Sequence, residues 1–428
     1  MKKTVLVDGC RIPFQRSGTG YRNLMAYDLA RIVLKSLLER NPVDPAAIDR
    51  IIMGNVIQEV KTTNVAREAA LGAGYPLSVP AHTVTMACIS SNAAITAGMD
   101  LIRTGQADIV VAGGVETMSD VPIRLRPKLR KKLVQAGRIK GIGDVLNILK
   151  GLRPSDLLPE LPSITEFSTR QTMGKSCDIL AAKFGVSRSE QDEYALRSHQ
   201  LAAKATQSGL FEKELVPALV EPDFKPVTTD NGVRGDSSME KLTSLRPAFV
   251  KPHGTVTAGN SSFLTDGASA TLIMSEEKCR ELGLKPKAYL GQYTYVAQNP
   301  DEDLLLGPAL AIPKVMKAAG LDPDDIDVFE LHEAFAGQVL AVLNALKSES
   351  FAKAYLGIPT AFGEIPLSKM NTRGGSLSLG HPFGATGARL VTTAANRLID
   401  EGGEWGLVAA CAAGGLGHAI VLKRHPEA

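Results

Sequence analysis

The chain has 428 residues, with 48 Lys and Arg against 45 Asp and Glu and a formal net charge of +3. That near-balance excludes recognition of nucleic acid by bulk charge, while 44% hydrophobic content suffices for the cores of two or three domains. Forty glycines beside 5% aromatic residues fit a tightly turned α/β protein in which backbone approaches backbone or ligand.

The N-terminus, MKKTVLVDGCRIPF, reaches Asp8 after four uncharged residues, too few for a signal-peptide core. No later apolar run is long enough to span a bilayer. The expected location is therefore the bacterial cytoplasm, with a trimmed organellar chain as the alternative. Five scattered cysteines (Cys10, Cys88, Cys177, Cys279, Cys411) show neither zinc spacing nor a disulfide framework, which points to a reducing compartment and no metal.

Residues 24–38 have helical periodicity and are followed by VDPAAIDRIIMGNV at 43–56. A second copy of this order occurs at 308–320 and 321–334, where LDPDDIDVFELHEA follows a helix. In each copy an Asp-Pro pair marks a helix start, with Asp as the cap and Pro at the first helical position. Residues 95–114 and 387–415 also correspond: helix, glycine, then a short apolar strand of the kind buried on both faces of a parallel sheet. The chain thus reads as two similar α/β halves. Residues 1–120 form the first, completed by 245–280, and 281–428 form the second. Residues 121–244 read as an inserted loop domain, rich in Pro and basic residues, with two helices over 175–209.

Four positions carry candidate chemistry. Cys88 ends the run TVTMAC before ISSNAA, a strand-to-helix turn. Helix N–H groups there would lower the thiol pKa and make the thiolate a nucleophile; the alternative is a small buried apolar residue. His381 lies in SLSLGHPFGATGARL, a constrained loop presenting an imidazole that could act as a base or polarise a carbonyl. His332 lies in FELHEAFAGQ, where a strand ends, and Glu333 fits the acidic first turn of a helix. Cys411 precedes AAGGLGHA, either an oxyanion-binding turn or a tight link between two strands. No suitably placed GxGxxG or Walker pattern occurs, so a nucleotide fold of that type is rejected.

These motifs, with DGCRIPF, AGGVETMS, MGKSCDILAAKFGVSRSEQDEYALRSH, LRPAF, GTVTAGN, HEAF, GHPFGATGARL and CAAGGLGHA, resemble the thiolase family along essentially the whole chain. Cys-Ile-Ser-Ser-Asn and His-Glu-Ala-Phe are most similar to the β-subunits of fatty-acid oxidation trifunctional complexes; most other thiolases carry Asn where this chain has His332. The resemblance implies a duplicated α/β/α/β/α layered fold and cleavage of 3-oxoacyl-CoA by CoA, with coenzyme A as substrate and no cofactor. Cys88 would attack the 3-keto carbonyl, His381 would take its proton, and Cys411 would protonate the departing enolate and then deprotonate CoA. The first oxyanion site would use His381 and a group positioned by His332; the second would use the backbone N–H groups of Cys88 and Ala413. Many thiolases have Gly at the position of Ala413. Ser262 would touch the pantetheine arm, Arg234 the nucleotide phosphates, and Met173 the acyl pocket; Phe263 stands where relatives often have Gly.

The resemblance also implies a homodimeric core with a hydratase/dehydrogenase α-subunit in a heterotetramer. A biosynthetic acetoacetyl-CoA thiolase uses the same residues in the reverse direction. An acyl-carrier-protein condensing enzyme would use one Cys with two His, and Cys411 argues against it. A catalytically silent scaffold is the third rival, opposed by the intact residues.

Residues 121–155 hold ten Lys or Arg and one acid, Asp144. Ile139, Ile142, Leu146, Leu149 and Leu152 recur at helical spacing, a basic amphipathic pattern that suits a membrane surface, a partner, or the chain's own active-site entrance.

Overall fold

A computed structural model describes residues 2–137, 141–160 and 165–428. Nine principal strands are β1 (Thr4–Arg11), β2 (Arg50–Gly54), β3 (Ala81–Val84), β4 (Ile109–Glu116), β5 (Thr265–Ser275), β6 (Ala288–Ala297), β7 (Val328–Leu331), β8 (Trp405–Ala412) and β9 (Leu416–Arg424). They run β7-β8-β9-β6-β1-β5-β4-β2-β3 across one continuous sheet. Outward from the β1–β6 junction the two sides match. On one side β5 and β4 are antiparallel, and then β4, β2 and β3 are parallel. On the other, β9 and β8 are antiparallel and β8 and β7 are parallel. Beyond β7, the bridge between Phe329 and Met370 stands where β3 lies beyond β2.

The principal helices are α1 (Ala26–Arg40), α2 (Val65–Gly72), α3 (Ser90–Arg103), α4 (Pro127–Ala136), α5 (Ile142–Leu149), α6 (Met173–Lys183), α7 (Arg188–Gln207), α8 (Gly307–Ala319), α9 (Ala336–Leu346) and α10 (Thr386–Asp400). Among the described residues no helix is long and apolar enough to cross a membrane.

Side chains alternate across a strand, so a strand covered on both faces feeds two cores. In β4, Ile109 and Val111 pack with α1 and α2, whereas Val110 and Ala112 pack with α3 and α10. In β8, Val408 and Ala410 join that same central core, whereas Leu407, Ala409 and Cys411 face the layer of α6, α8 and α9. Three cores separated by two sheet halves make the layered α/β/α/β/α arrangement. The central helices α3 and α10 are therefore enclosed from both sides, and their N-termini carry the Cys88 turn and the His381 loop.

Each Asp-Pro pair starts a single 3₁₀ turn, Pro45–Ala47 and Pro323–Asp325, rather than a lasting helix. Asp44 accepts from the N–H of Ala46, and the chain then turns into the strand, because isoleucine at 48 and at 326 must reach the core.

The basic amphipathic segment divides into α4 and α5, and Ile139 lies outside the described residues. Ile142 is 80% exposed and Leu146 63% exposed, with Val145 and Leu149 also open. Among the described residues, that apolar face is left largely uncovered by the rest of the chain.

Candidate active site

Cys88 sits between β3 and α3 on a turn the sequence alone would not favour. Ala87 adopts φ of 46°, the left-handed region that costs a non-glycine residue about 1 kcal/mol or more. The turn is clamped by Ser90, whose Oγ accepts from the Met86 N–H at 2.8 Å and donates to the Ala87 carbonyl at 2.7 Å. Such stored strain is characteristic of residues that present a reacting group.

The His381 loop is brought to the same place by close backbone packing. A Cβ on Gly114 of β4 would collide with the Gly384 carbonyl, and one on Gly384 would meet the Val115 and Gly54 carbonyls. Glu116, at the end of β4, ties the contact together. Its carboxylate accepts from the N–H groups of Val56, Ile57 and Gly384 and from Asn55 Nδ2, all between 2.9 and 3.1 Å. Burial pushes the Glu116 pKa up to about 8, and those N–H donors pull against it.

His332 follows β7, held by its N–H to the Ala409 carbonyl at 2.8 Å. The His332 and His381 rings lie with centroids 4.0 Å apart. Both side chains are buried, and both Nε2 atoms lack a hydrogen-bond partner among the described residues. The ligand atoms of Cys88, His332 and His381 lie within 4.8 Å of one another, a thiol and two imidazoles that could hold a soft divalent ion. Burial holds His332 down to about 3 and His381 well below the ordinary imidazole value, the latter also through His332 and Arg389. Both rings are therefore neutral at physiological pH.

Cys88 corrects the expectation of a lowered pKa. Loss of hydration pushes its thiol up to about 11, although the N–H groups of Ala413 and Cys88 point at the sulfur and favour the thiolate. Glu116 and Glu166 add to the upward shift. α3 begins only at Ser90, and desolvation outweighs its dipole. The resting pair is thus neutral thiol and neutral imidazole. Alkylation by iodoacetamide should accordingly slow about tenfold per unit as pH falls from 8 to 5. A flat rate over that range, the mark of a thiolate–imidazolium pair, would refute this electrostatic reading.

Cys411 lies near the end of β8, opposite Gly417, and the turn to β9 at 413–415 is the tight strand link that the sequence allowed. Burial, and then the neighbouring Cys88, push its pKa far up. In that turn the Gly414 N–H donates to Glu166 Oε2 at 2.8 Å.

Glu333 is not a helix-start acid: α9 begins at Ala336, and Glu333 is fully buried. Its carboxylate accepts from Tyr194, Ser198, Asn371 and the Leu377 N–H at 2.7 to 3.2 Å, anchoring the loop behind His332.

Ser262 donates its N–H to the Ala334 carbonyl, and Leu264 bridges to His381, so the 261–265 segment lies along both histidine loops. Arg16 stacks on Phe263 at 4.5 Å, and Gly232 has no room for a Cβ against the same ring. Burial, then the charge of Arg234, lowers the Arg16 pKa. The Arg234 N–H donates to His199 Nδ1 at 3.2 Å. Met173 opens α6 and packs on the core that contains Cys411 and Phe335. Arg16, Glu116, Ser376 and Arg389 have no local sequence signal, because the partners that give them meaning lie 13 to 268 positions away.

Two comparisons of sequence agree with this arrangement. Residues 4–277 match the family described as "Thiolase, N-terminal domain", and residues 284–424 match "Thiolase, C-terminal domain". The Homo sapiens protein named "Trifunctional enzyme subunit beta, mitochondrial" is 58% identical over 427 residues, covering 100% of this chain and 90% of its own. A "Probable 3-ketoacyl-CoA thiolase" of Caenorhabditis elegans is 53% identical, covering 99% of this chain and 95% of its own. Among solved structures, the Bacillus anthracis acetyl-CoA acetyltransferase has a TM-score of 0.84 at 34% identity, covering 99% of both chains. Human mitochondrial 3-ketoacyl-CoA thiolase has a TM-score of 0.84 at 30% identity and the same coverage.

Proposed function

The chain belongs to the thiolase family of acyltransferases, and from that premise we propose that it is a 3-ketoacyl-CoA thiolase of fatty-acid β-oxidation. It would cleave 3-oxoacyl-CoA with CoA to acetyl-CoA and an acyl-CoA two carbons shorter. The observation that carries this reading is the convergence on one strained turn of Cys88, two neutral imidazoles and two N–H groups aimed at its sulfur, with Cys411 alongside.

In this reading His381 takes the Cys88 proton as the sulfur attacks the 3-keto carbon. Neither group is charged at rest, so charge develops only in the transition state, where His381 and His332 flank the substrate oxygen. Collapse breaks the C2–C3 bond and leaves an acyl thioester on Cys88 and the enolate of acetyl-CoA. The Cys411 thiol protonates that enolate. A carbon acid next to a thioester is weak, so a thiol whose pKa is raised is a better match for it. Cys411 then takes the proton of the incoming CoA thiol, whose sulfur attacks the thioester and releases Cys88, which recovers its proton from His381. The N–H groups of Cys88 and Ala413 hold the thioester oxygen during this second half.

Coenzyme A enters as substrate, and Ser262, Arg234 and Met173 would line its approach and the acyl pocket. The reading includes the division into halves 1–120 with 245–280 and 281–428, and an inserted domain 121–244. It also includes a homodimeric core, a hydratase/dehydrogenase α-subunit and residence in the bacterial cytoplasm. The exposed apolar face of α5 supports contact of 121–155 with that partner or a membrane surface. Thiolysis should proceed with 3-oxoacyl-CoA substrates longer than acetoacetyl-CoA; strict restriction to acetoacetyl-CoA would favour the biosynthetic reading and overturn this one.

A further inference from the structure

His332 and His381 look alike in composition, burial and proximity, yet their outer nitrogens are bonded differently. His381 Nδ1 lies 2.6 Å from Thr386 Oγ1. Thr386 has one hydroxyl proton, and it donates to the Pro382 carbonyl at 3.0 Å. The carbonyl can only accept, and with the hydroxyl proton directed to it Thr386 Oγ1 is the acceptor for His381 Nδ1–H. That leaves a lone pair on His381 Nε2, the buried ring nitrogen with no hydrogen-bond partner among the described residues.

His332 Nδ1 lies 2.9 Å from Ser376 Oγ, in the short helical turn Ser376–Leu379. The same Oγ accepts from the Arg389 guanidinium at 3.1 Å. Arg389 can only donate, and the Ser376 hydroxyl proton has His332 Nδ1 as its acceptor. His332 therefore carries its own proton on Nε2. Arg389 is fully buried and is held in turn by Glu330 at 3.5 Å, so the direction of the chain is set by a charge that cannot turn round. Tautomers follow from hydrogen-bond partners in this way because each neutral imidazole has one donor and one acceptor nitrogen.

We propose that Ser376 and Arg389 are positioning residues that fix His332 as an Nε2–H donor, opposite to the acceptor form that Thr386 imposes on His381. One imidazole then takes the Cys88 proton while the other donates to the substrate oxygen from the start. The inference rests on the thiolase reading for the identity of that oxygen, but the tautomers themselves do not. It also gives both unpartnered Nε2 atoms a use: one awaits an acceptor, the other a proton.

The test is a double-mutant cycle in the full-length protein, read by kcat and KM for thiolysis. Ser376→Ala should lower kcat by roughly ten- to a hundredfold, as loss of an outer partner to a functional imidazole does. KM should change little, and Ser376→Thr, which keeps the hydroxyl, should recover most of the loss. His332→Asn keeps an N–H donor and has no ring nitrogen to orient, so adding Ser376→Ala to it should cost less than about twofold. Equal costs of Ser376→Ala in both backgrounds would overturn the proposal, since a merely structural serine would behave that way. Nitrogen NMR of histidine-labelled protein gives a readout independent of activity. The wild type should show His332 protonated at Nε2 and His381 at Nδ1, and a wild-type His332 protonated at Nδ1 would refute the assignment. Absence of thiolysis in the wild type with those tautomers intact would instead refute the proposed function alone.

Discussion

Cys88→Ala should abolish thiolysis, by at least about 10⁴-fold in kcat, while the protein stays folded. The size follows from the chemistry: without the sulfur there is no acyl carrier, and the remaining groups cannot transfer an acyl chain to CoA in one step. Folding should survive because Cys88 is only partly buried and makes no disulfide. The strained Ala87 turn is held by Ser90 rather than by the cysteine. Cys88→Ser is the stricter control. Its hydroxyl would receive the same N–H groups from Ala413 and Cys88, but at neutral pH it is a far weaker nucleophile than the thiol. Mass spectrometry after exposure to a 3-oxoacyl-CoA should find the acyl adduct on the wild type and none on Cys88→Ala. Retained turnover with a native thermal transition would remove Cys88 from the nucleophile role.

Glu330→Gln should be the most destabilising single substitution near the site, costing about 3–5 kcal/mol, as expected when one partner of a buried ion pair is removed. Glu330 is fully buried between Arg397 at 2.8 Å and Arg389 at 3.5 Å, both also inaccessible to solvent. Arg397 keeps Glu401 and the carbonyls of Phe329 and Lys369. Among the described residues, Arg389 keeps Ser376 as its side-chain hydrogen-bond partner, with Glu214 and Glu333 acting on it only through space, so most of the uncompensated charge falls on the residue that orients His332. The expected result is a lower denaturant midpoint with an unchanged slope, accompanied by reduced kcat. Adding Arg389→Met to Glu330→Gln should restore part of the lost stability, since the stranded charge is then gone. Two losses that simply add would refute the coupling.

The site shows where reading from residues stops. Cys88, His332, His381 and Cys411 stand out in sequence because each ends an apolar run beside small or glycine residues, and backbone constraint is a local property. The duplication is likewise legible, because helix, turn and buried strand recur in the same order in both halves. The misread features depend on distance. Glu333 looked like the acid of a helix start because the periodicity cannot tell where α9 begins; in the fold it receives four donors from α7 and the 371–377 loop. The Cys88 thiol looked activated because a helix follows it, but desolvation from packed neighbours has no sequence signature. The basic amphipathic pattern was real, yet whether its apolar face was covered depended on how the inserted segment lay on the rest of the chain.

The sequence by itself determined the layered α/β architecture and the family, and it singled out four candidate side chains, because alternation, periodicity and motif spacing are written along the chain. Only the tertiary structure decided their protonation and direction. Those depend on how far water is excluded and on partners such as Thr386 for His381, or Ser376 and Arg389 for His332, whose bonds exist once α10 is enclosed between the two halves of the sheet.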